Sequence, residues 1–260
     1  MRRRVAPPDQ LLALAAAQSG VLSSAQAAAL DFPLRCVDRL VAQRHWTRLA
    51  AGLYHVAPGN PSWLGLAWGG ILLGGPRARL GFGAAGWLWK LLPDEPSTIT
   101  VLVPTGNGVA SRGPWIFRRE LASTRDQRSP GDPPRTTIED TVIDLCREVG
   151  PRGVLELVTK AVQTRRTTAA RLLSRIEERD RVSHRRYLRD ILGDVVEGAQ
   201  SALELRYLKD VERAHGLPRG TRRSARLVRF ATCLPTLPRS SPSCVMISEF
   251  GGDHTAKSRS

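Results

Sequence analysis

The chain has few cysteines, few aromatic residues and no long apolar segment. Its 260 residues include four cysteines, namely Cys36, Cys146, Cys233 and Cys244. None of these form a Cys-x-x-Cys pair, which excludes a zinc ribbon and a thioredoxin-type redox motif. Scattered single thiols are typical of a reducing cytoplasm. We therefore expect a cytoplasmic protein without a metal ion or another cofactor.

The sequence also lacks a segment able to span a membrane. The apolar run from Trp63 to Gly75 is too short for this, and Arg77 and Arg79 follow it. The basic N-terminus only loosely resembles a secretory signal, because residues 7–9 (Pro-Pro-Asp) interrupt the approach to its apolar run. We expect neither secretion nor a membrane partner.

Acidic residues are scarce relative to basic ones. The chain has 24 Asp and Glu against 39 Lys and Arg, a formal net charge of +15. This excess favours a polyanionic partner, with nucleic acid first, an anionic membrane surface second and an acidic protein third. The alternative is that a GC-rich genome raises the arginine content of the whole chain. Composition alone does not show that the charge lies on one face of the protein.

Residues 9–44 are predicted to form three short helices. The first covers residues 9–18, with Asp9 as its N-cap, and a turn at residues 21–24 leads to the second at 25–30, capped by Ser23 or Ser24. Pro33 starts the third helix, which runs to about Arg44. Its predicted buried stripe is Leu34, Val37, Leu40 and Val41. The residues expected to face outward are Arg35, Cys36, Asp38, Arg39, Ala42 and Gln43.

A hairpin is predicted directly after these helices. Residues 45–49 and 53–56 are strand-like, with Gly52 in the turn between them. Three short helices followed by a basic hairpin predict a winged helix-turn-helix over residues 1–59. DNA contacts are favoured because Arg35, Arg39, Arg44 and Arg48 lie on the third helix and the hairpin. The alternative is a helical cap that packs on the next domain.

Residues 60–165 are predicted to form a small mixed α/β domain. Two apolar helices are expected within 61–92, strands at 97–103 and 115–119, and a helix from 138 capped by Thr136 or Thr137. Glu139 and Asp140 in its first turn suit the helix dipole without any catalytic role. The tryptophans of this region are expected in the core rather than stacked on bases, and are Trp63, Trp68, Trp87 and Trp89.

The C-terminal part is predicted to be helical and basic. Residues 153–192 are rich in arginine interspersed with acids, which indicates a solvated, ion-paired helix surface, although a second basic contact surface stays open. Residues 166–226 are taken as one helical region. Residues 227–260 are rich in Ser and Pro, and we expect a disordered tail there.

Residues 9–165 resemble the actinobacterial relatives of the AbiEi-type antitoxins, from type IV toxin–antitoxin pairs. The markers are Trp46 with Gly52-Leu53-Tyr54, and the helix entry Arg135-Thr136-Thr137 with Asp140-Thr141 and Asp144-Leu145. This resemblance implies a winged helix that binds its own promoter. It also implies a region that opposes a nucleotidyltransferase-like toxin.

The stretch from Gly198 to Arg223 resembles the start of a very-short-patch-repair-like nuclease domain. In that family, clustered carboxylates hold a divalent metal that activates water, and Glu204 would be the first of them. The following sequence departs from the family pattern, because Pro235, Pro238 and Pro242 break the expected strands. We expect a truncated domain in which Glu204 is a relic, and Glu249 or Asp253 would be its only partners for metal binding.

These observations predict an α+β, mainly helical protein that is not an enzyme. Its expected function is a DNA-binding, antitoxin-like transcriptional regulator, with double-stranded DNA and a toxin as partners. The alternatives are a metal-dependent endonuclease and a protein-interaction module without DNA binding. The predicted DNA-binding residues are Arg35, Arg39, Gln43, Arg44, Arg48 and Tyr54, of which Tyr54 would brace the hairpin.

Overall fold

The computed structural model describes residues 6–128 and 130–196. Within them the chain is mainly helical, with nine helices and two three-stranded sheets. This confirms the mixed, mainly helical class predicted from the sequence. None of the described helices is both long enough and apolar enough to cross a membrane. The predicted tail at 227–260 lies outside the described residues.

The first part of the chain alternates short helices with short strands. Its elements are α1 (Asp9–Ala17), β1 (Val21–Ser23), α2 (Ser24–Ala29), α3 (Leu34–Ala42), β2 (Thr47–Ala50) and β3 (Leu53–His55). The strands form one antiparallel sheet in the order β1-β3-β2. Gly52, in the turn between β2 and β3, has a φ of 71°, a left-handed conformation that glycine adopts without steric cost. The predicted helices and hairpin are confirmed.

The segment predicted as a turn at residues 21–24 instead contains strand β1. Val21 pairs with His55 and Leu22 pairs with Tyr54, and both Val21 and Leu22 are fully buried. Three residues are too few to show the alternation that identifies a strand. The predicted cap is confirmed, because Ser23 and Gln26 exchange hydrogen bonds of 3.2 and 3.0 Å in a capping box.

Two details of the helix predictions are wrong. The N-cap of α1 is Pro8, and Asp9 lies inside the first turn, where its carboxylate complements the helix dipole. In α3, Leu34 is 48% exposed while Cys36 is 5% exposed. Phe32, which precedes α3, is fully buried in the same core cluster as Cys36. Phe32 therefore fills the core at this end of the helix, and Leu34 is left outside.

The middle of the chain packs two apolar helices on a second sheet. Its elements are α4 (Trp63–Gly74), β4 (Arg79–Leu80), α5 (Phe82–Leu88), β5 (Ile99–Pro104) and β6 (Trp115–Glu120). The strand order is β4-β5-β6, with β4 antiparallel and β6 parallel to β5. The two predicted strands are confirmed, whereas the two-residue strand β4 is too short for a sequence pattern.

One core cluster joins the N-terminal elements to this sheet. Val21 of β1 and Leu53 of β3 are buried together with Ala67 of α4 and with Val101 and Trp115 of the second sheet. The N-terminal elements therefore pack on the middle of the chain through shared apolar contacts. The prediction that the tryptophans lie in the core is also confirmed, since those of residues 63–89 pack in or against buried clusters.

Four helices complete the described chain. They are α6 (Ile138–Leu145), α7 (Pro151–Gln163), α8 (Ala169–Glu178) and α9 (Arg185–Val196). Thr137 caps α6 and Thr168 caps α8, with hydroxyls that accept hydrogen bonds from backbone N–H groups. One apolar cluster contains Val142 of α6, Val158 of α7, Leu172 of α8 and Leu188 of α9. This cluster contains residues on both sides of the predicted domain boundary after residue 165, which stays a prediction.

Close packing of α4 on the second sheet depends on glycine. A Cβ at Gly70 would lie 2.7 Å from Cγ2 of Val101 and 2.8 Å from Cδ1 of Trp115. We expect Gly70→Ala to destabilise the protein by about 1–3 kcal/mol through overpacking. Gly83 in α5 is the matched control, because a Cβ there would lie 3.8 Å from its nearest neighbour, Cβ of Pro96. Gly83→Ala should be neutral or stabilising, by up to about 1 kcal/mol. Urea unfolding of both variants measures the difference, and equal midpoints would contradict this account of α4.

Candidate nucleic-acid interface

Helix α3 carries a row of basic and polar side chains on its outer side. Arg35 lies in the first turn and is exposed, and Arg39 lies one turn later and is partly exposed. Gln43 is the C-cap residue, and both Gln43 and Arg44 are exposed. The structure thus places four of the predicted DNA-binding residues along one short helix and its end.

The end of α3 is defined by a left-handed residue and a buried tryptophan. Arg44 has a φ of 59°, which reverses the chain as in a helix C-terminal motif. The N–H groups of His45 and Trp46 then donate to the carbonyl oxygen of Leu40, at 2.9 and 3.2 Å. Trp46 is 5% exposed and packs in the core beneath α3. This fixes where the chain leaves α3 and enters the hairpin.

Arg48 connects the hairpin to α3. It lies on β2 and is exposed, and its Nη2 donates to Oδ1 of Asp38 at 2.6 Å. Its guanidinium also lies 5.6 Å from the centroid of the Tyr54 ring. An exposed ion pair of this kind adds only about 0–1 kcal/mol of stability. Its effect is positional, because it holds a basic hairpin side chain beside α3.

Tyr54 occupies a different environment from the arginines. It is 5% exposed and belongs to the core cluster under α3 with Phe32 and Trp46. On β3 it stands opposite both Leu22 and Arg48. The ring therefore supports Arg48 from below, and a role for Tyr54 is structural rather than one of direct contact.

A second group of charges, which the sequence analysis did not identify, is buried where β4, β6, α6 and α8 meet. We call it the arginine–carboxylate network, and its members are Arg79, Glu120, Arg125, Asp140, Asp144, Arg175 and Arg179. All have side chains that are at most 13% exposed, and those of Asp140 and Asp144 are fully buried.

Arg125 is central to this network. Its Nε and Nη2 donate to the two oxygens of Asp144 at 2.7 and 3.1 Å, and its Nη1 donates to Glu120 at 2.7 Å. Burial opposes the charge of Arg125, but the hydrogen bonds and charges of Asp144 and Glu120 outweigh it and raise the pKa of the guanidinium. Arg79 completes this side with hydrogen bonds of 3.0 and 2.6 Å to Glu120.

Helix α8 and its C-cap residue Arg179 supply the other half of the network. Arg179 donates to Asp144 at 3.0 Å and to Asp140 at 3.3 Å, and Arg175 donates to Asp140 at 2.9 Å. Asp140 lies in the first turn of α6, as predicted, but it is also paired with Arg175 and Arg179. The prediction of a solvated surface is wrong for these two arginines, because both are paired inside the protein.

A sequence signal for this network does exist. Asp140 and Asp144 are four residues apart, and so are Arg175 and Arg179. Residues at this spacing share one helix face, so two complementary faces can be read from the sequence. The same carboxylates are fully engaged by arginine. Among the described residues, no group of three or more His, Cys, Asp or Glu side chains is placed to hold a metal ion.

Cys146 follows the network at the end of α6 and is fully buried. Burial raises the pKa of its thiol to about 12. The thiol therefore stays protonated near neutral pH and lacks the reactivity of a thiolate nucleophile. Glu204, Glu249 and Asp253, the residues of the nuclease hypothesis, lie outside the described residues.

Breaking the arginine–carboxylate network should lower the free energy of unfolding far more than breaking an exposed ion pair. Asp144→Asn leaves Arg125 and Arg179 buried without their shared charge, and we expect a loss of about 3–5 kcal/mol. Glu156→Gln is the matched control, since Glu156 forms an exposed pair with Arg152 on α7 at 3.3 Å. It should change stability by less than about 1 kcal/mol. Urea unfolding midpoints test both variants, and a mild effect of Asp144→Asn would show that the network is dispensable.

The chain has a distant structural neighbour among solved proteins. No protein-family model matches the chain, and no curated protein sequence matches it. A crystal structure of the RV2827C protein from Mycobacterium tuberculosis is similar with a TM-score of 0.45 and 13% sequence identity, over 76% of this chain and 78% of that chain. At this level of likeness the neighbour assigns neither a fold nor a function to the protein.

Proposed function

We propose that the protein is a DNA-binding transcriptional regulator of the AbiEi-type antitoxin class. In this proposal α1 to β3 form a winged helix-turn-helix, in which α2 and α3 are the helix pair and β2–β3 is the wing. The observation that carries it is the alignment of Arg35, Arg39, Gln43 and Arg44 along α3, with Arg48 of the hairpin held beside them. Arginine and glutamine side chains can contact both the phosphates and the base edges of a DNA duplex.

Helix α3 would lie in the major groove. In helix-turn-helix proteins the N-terminal residues of the recognition helix contact base edges. Arg35 occupies that position in the first turn, and an arginine there can donate two hydrogen bonds to guanine. Arg39 and Gln43 follow at spacings of four residues, on the same side of the helix. Arg44 and Arg48 would neutralise backbone phosphates on either side of the groove.

Asp38 limits the basic character of this surface. It lies between Arg35 and Arg39 in the sequence and holds Arg48 through their ion pair. A carboxylate near phosphates is repulsive, so sequence-independent binding is weakened by Asp38. When DNA binds, Arg48 exchanges the carboxylate for a phosphate oxygen, and the exposed position of the pair makes this exchange inexpensive.

The antitoxin part of the proposal rests on the resemblance of residues 9–165 to that class. It implies binding to the promoter of the protein's own gene in the cytoplasm, and opposition to a nucleotidyltransferase-like toxin. A toxin gene beside this one, and relief of its toxicity when both are expressed, would support this part. Toxicity that persists on co-expression would remove the antitoxin role without affecting DNA binding.

Replacing the arginines of α3 tests the DNA surface. We expect Arg35→Ala with Arg39→Ala to abolish preference for the protein's own promoter, since a base-reading arginine contributes about 1–3 kcal/mol. The matched control is Arg152→Ala with Arg186→Ala, which removes the same charge from exposed positions on α7 and α9. Mobility shifts on the promoter and on random duplex give the readout. Equal losses in the two double variants, or no promoter preference in the wild type, would contradict the proposal.

Replacing Asp38 of α3 should strengthen binding to DNA rather than weaken it. Asp38→Asn releases Arg48 and deletes a repulsive charge, so binding to random duplex should tighten. One additional phosphate contact steepens the slope of log K against log salt by about 0.9. Fluorescence anisotropy over a salt series measures the slope. Weaker binding would instead show that the Asp38–Arg48 pair positions the hairpin for DNA.

A further inference from the structure

Two arginines approach the same tryptophan ring in the middle of the chain. The guanidinium carbon of Arg135 lies 4.8 Å from the centroid of Trp89, and that of Arg166 lies 6.0 Å from it. Trp89 is the C-cap residue of α5, Arg135 lies two residues before the N-cap of α6, and Arg166 lies just before α8. We call Arg135 and Arg166 the Trp89 arginine pair. It is separate from α3 and from the hairpin.

The backbone around Arg135 is firmly held. Residue 135 forms a parallel bridge with Leu80 of β4, in which the Leu80 N–H donates to Pro134 at 2.8 Å and the Thr136 N–H donates to Leu80 at 2.9 Å. The Trp89 Nε1 donates to the carbonyl oxygen of Thr136 at 3.0 Å. The indole and the backbone of Arg135 are therefore fixed relative to each other before any ligand arrives.

The side chain of Arg135 is confined as well. Gly131 has a φ of 84°, and a Cβ at this position would collide with the Arg135 guanidinium. The loop backbone thus lies directly against the guanidinium on one side, while Trp89 borders it on another. Confinement by a glycine loop and a ring lowers the entropy that Arg135 would lose on binding a ligand.

The positive charge of this pair is not balanced within the described part of the chain. Neither Arg135 nor Arg166 forms an ion pair there, and the buried Nε of Arg135 has no hydrogen-bond partner. Burial lowers the pKa of Arg135, the nearby charge of Arg166 lowers it further, and exposed Asp132 opposes both. Like charges that are brought together at such a cost are typical of a binding site.

We propose that the Trp89 arginine pair binds a phosphate group. Two arginines share one anion elsewhere in this protein, since Asp144 accepts hydrogen bonds from both Arg125 and Arg179. Two guanidinium groups beside one indole ring suit a tetrahedral anion such as phosphate, whose oxygens can accept hydrogen bonds from both. Helix α8 begins after Arg166 with Thr168 as its N-cap, and its N-terminal dipole adds to the attraction for an anion. The phosphate comes from a nucleic-acid backbone or from a free phosphate.

Thermal unfolding of the full chain in inorganic phosphate tests the site. A ligand that binds the folded state raises Tm with concentration, and sodium chloride of equal ionic strength serves as the reference. We expect phosphate to raise the Tm of the wild type above the chloride reference, and this increment to disappear in Arg166→Gln. Arg166 is exposed, so its replacement leaves the fold intact.

Arg186→Gln is the matched control, because it removes one exposed arginine from α9. It should keep the phosphate increment. General stabilisation by phosphate acts on every variant alike, so only the difference between variants reports the site. Equal increments in the wild type and Arg166→Gln overturn the proposal, and so does loss of the increment in Arg186→Gln as well.

A second arm identifies the source of the phosphate. Binding of a random-sequence duplex is measured over a salt series for the wild type, Arg166→Gln and Arg186→Gln. A slope lower by about one unit in Arg166→Gln alone supports a nucleic-acid phosphate, and an unchanged slope together with the lost Tm increment supports a free phosphate. Failure of all duplex binding would contradict the proposed DNA function but leave the Tm result to decide this site.

Discussion

The pairing of Asp140 and Asp144 with arginines is the interaction on which the second half of the described chain depends. Two fully buried carboxylates on α6 hold Arg125 from the loop after β6 and Arg175 and Arg179 from α8. Unpaired, any of these charges would be strongly unfavourable in the core. The loop and α8 therefore have one low-energy arrangement against α6, and the apolar cluster of α6 to α9 forms around it. Hydrophobic burial drives the folding of this part, and the charges select its geometry.

The N-terminal elements are positioned by a different means. Their own cluster lies beneath α3 and includes Phe32, Trp46 and Tyr54. Val21 and Leu53 belong instead to the cluster shared with α4 and the second sheet. Strands β1 and β3 thus contribute side chains to two separate core clusters. This arrangement presents α3 and the hairpin outward while their strands remain anchored.

Local patterns in the sequence predict most of the elements but not the long-range pairing. The helices, the hairpin and the strands β5 and β6 follow from apolar periodicity, caps and glycine turns, which are local signals. Strands β1 and β4 escape prediction because two or three residues carry no periodicity. The sequence predicts Leu34 in the core and Cys36 on the surface, and the structure shows the reverse. The reason is that Phe32, which lies outside the helix, fills the core at this end of α3. Among the candidate site residues, the exposure of Arg35 follows from helix spacing, whereas the Asp38–Arg48 pair depends on where the hairpin folds back. The buried charges of α6 and α8 are 35 residues apart in sequence, a distance at which spacing alone assigns no partner.

The division of β1 and β3 between two cores has a mechanical consequence. A strand that contributes side chains to both clusters transmits displacement from one to the other, because packed interiors are dense and do not deform gradually. Leu53 lies in the cluster shared with α4 and its neighbour Tyr54 lies in the cluster beneath α3, so a displacement of α4 alters the packing on both sides of β3. The N-terminal elements and α4 are therefore mechanically coupled through the side chains of β3.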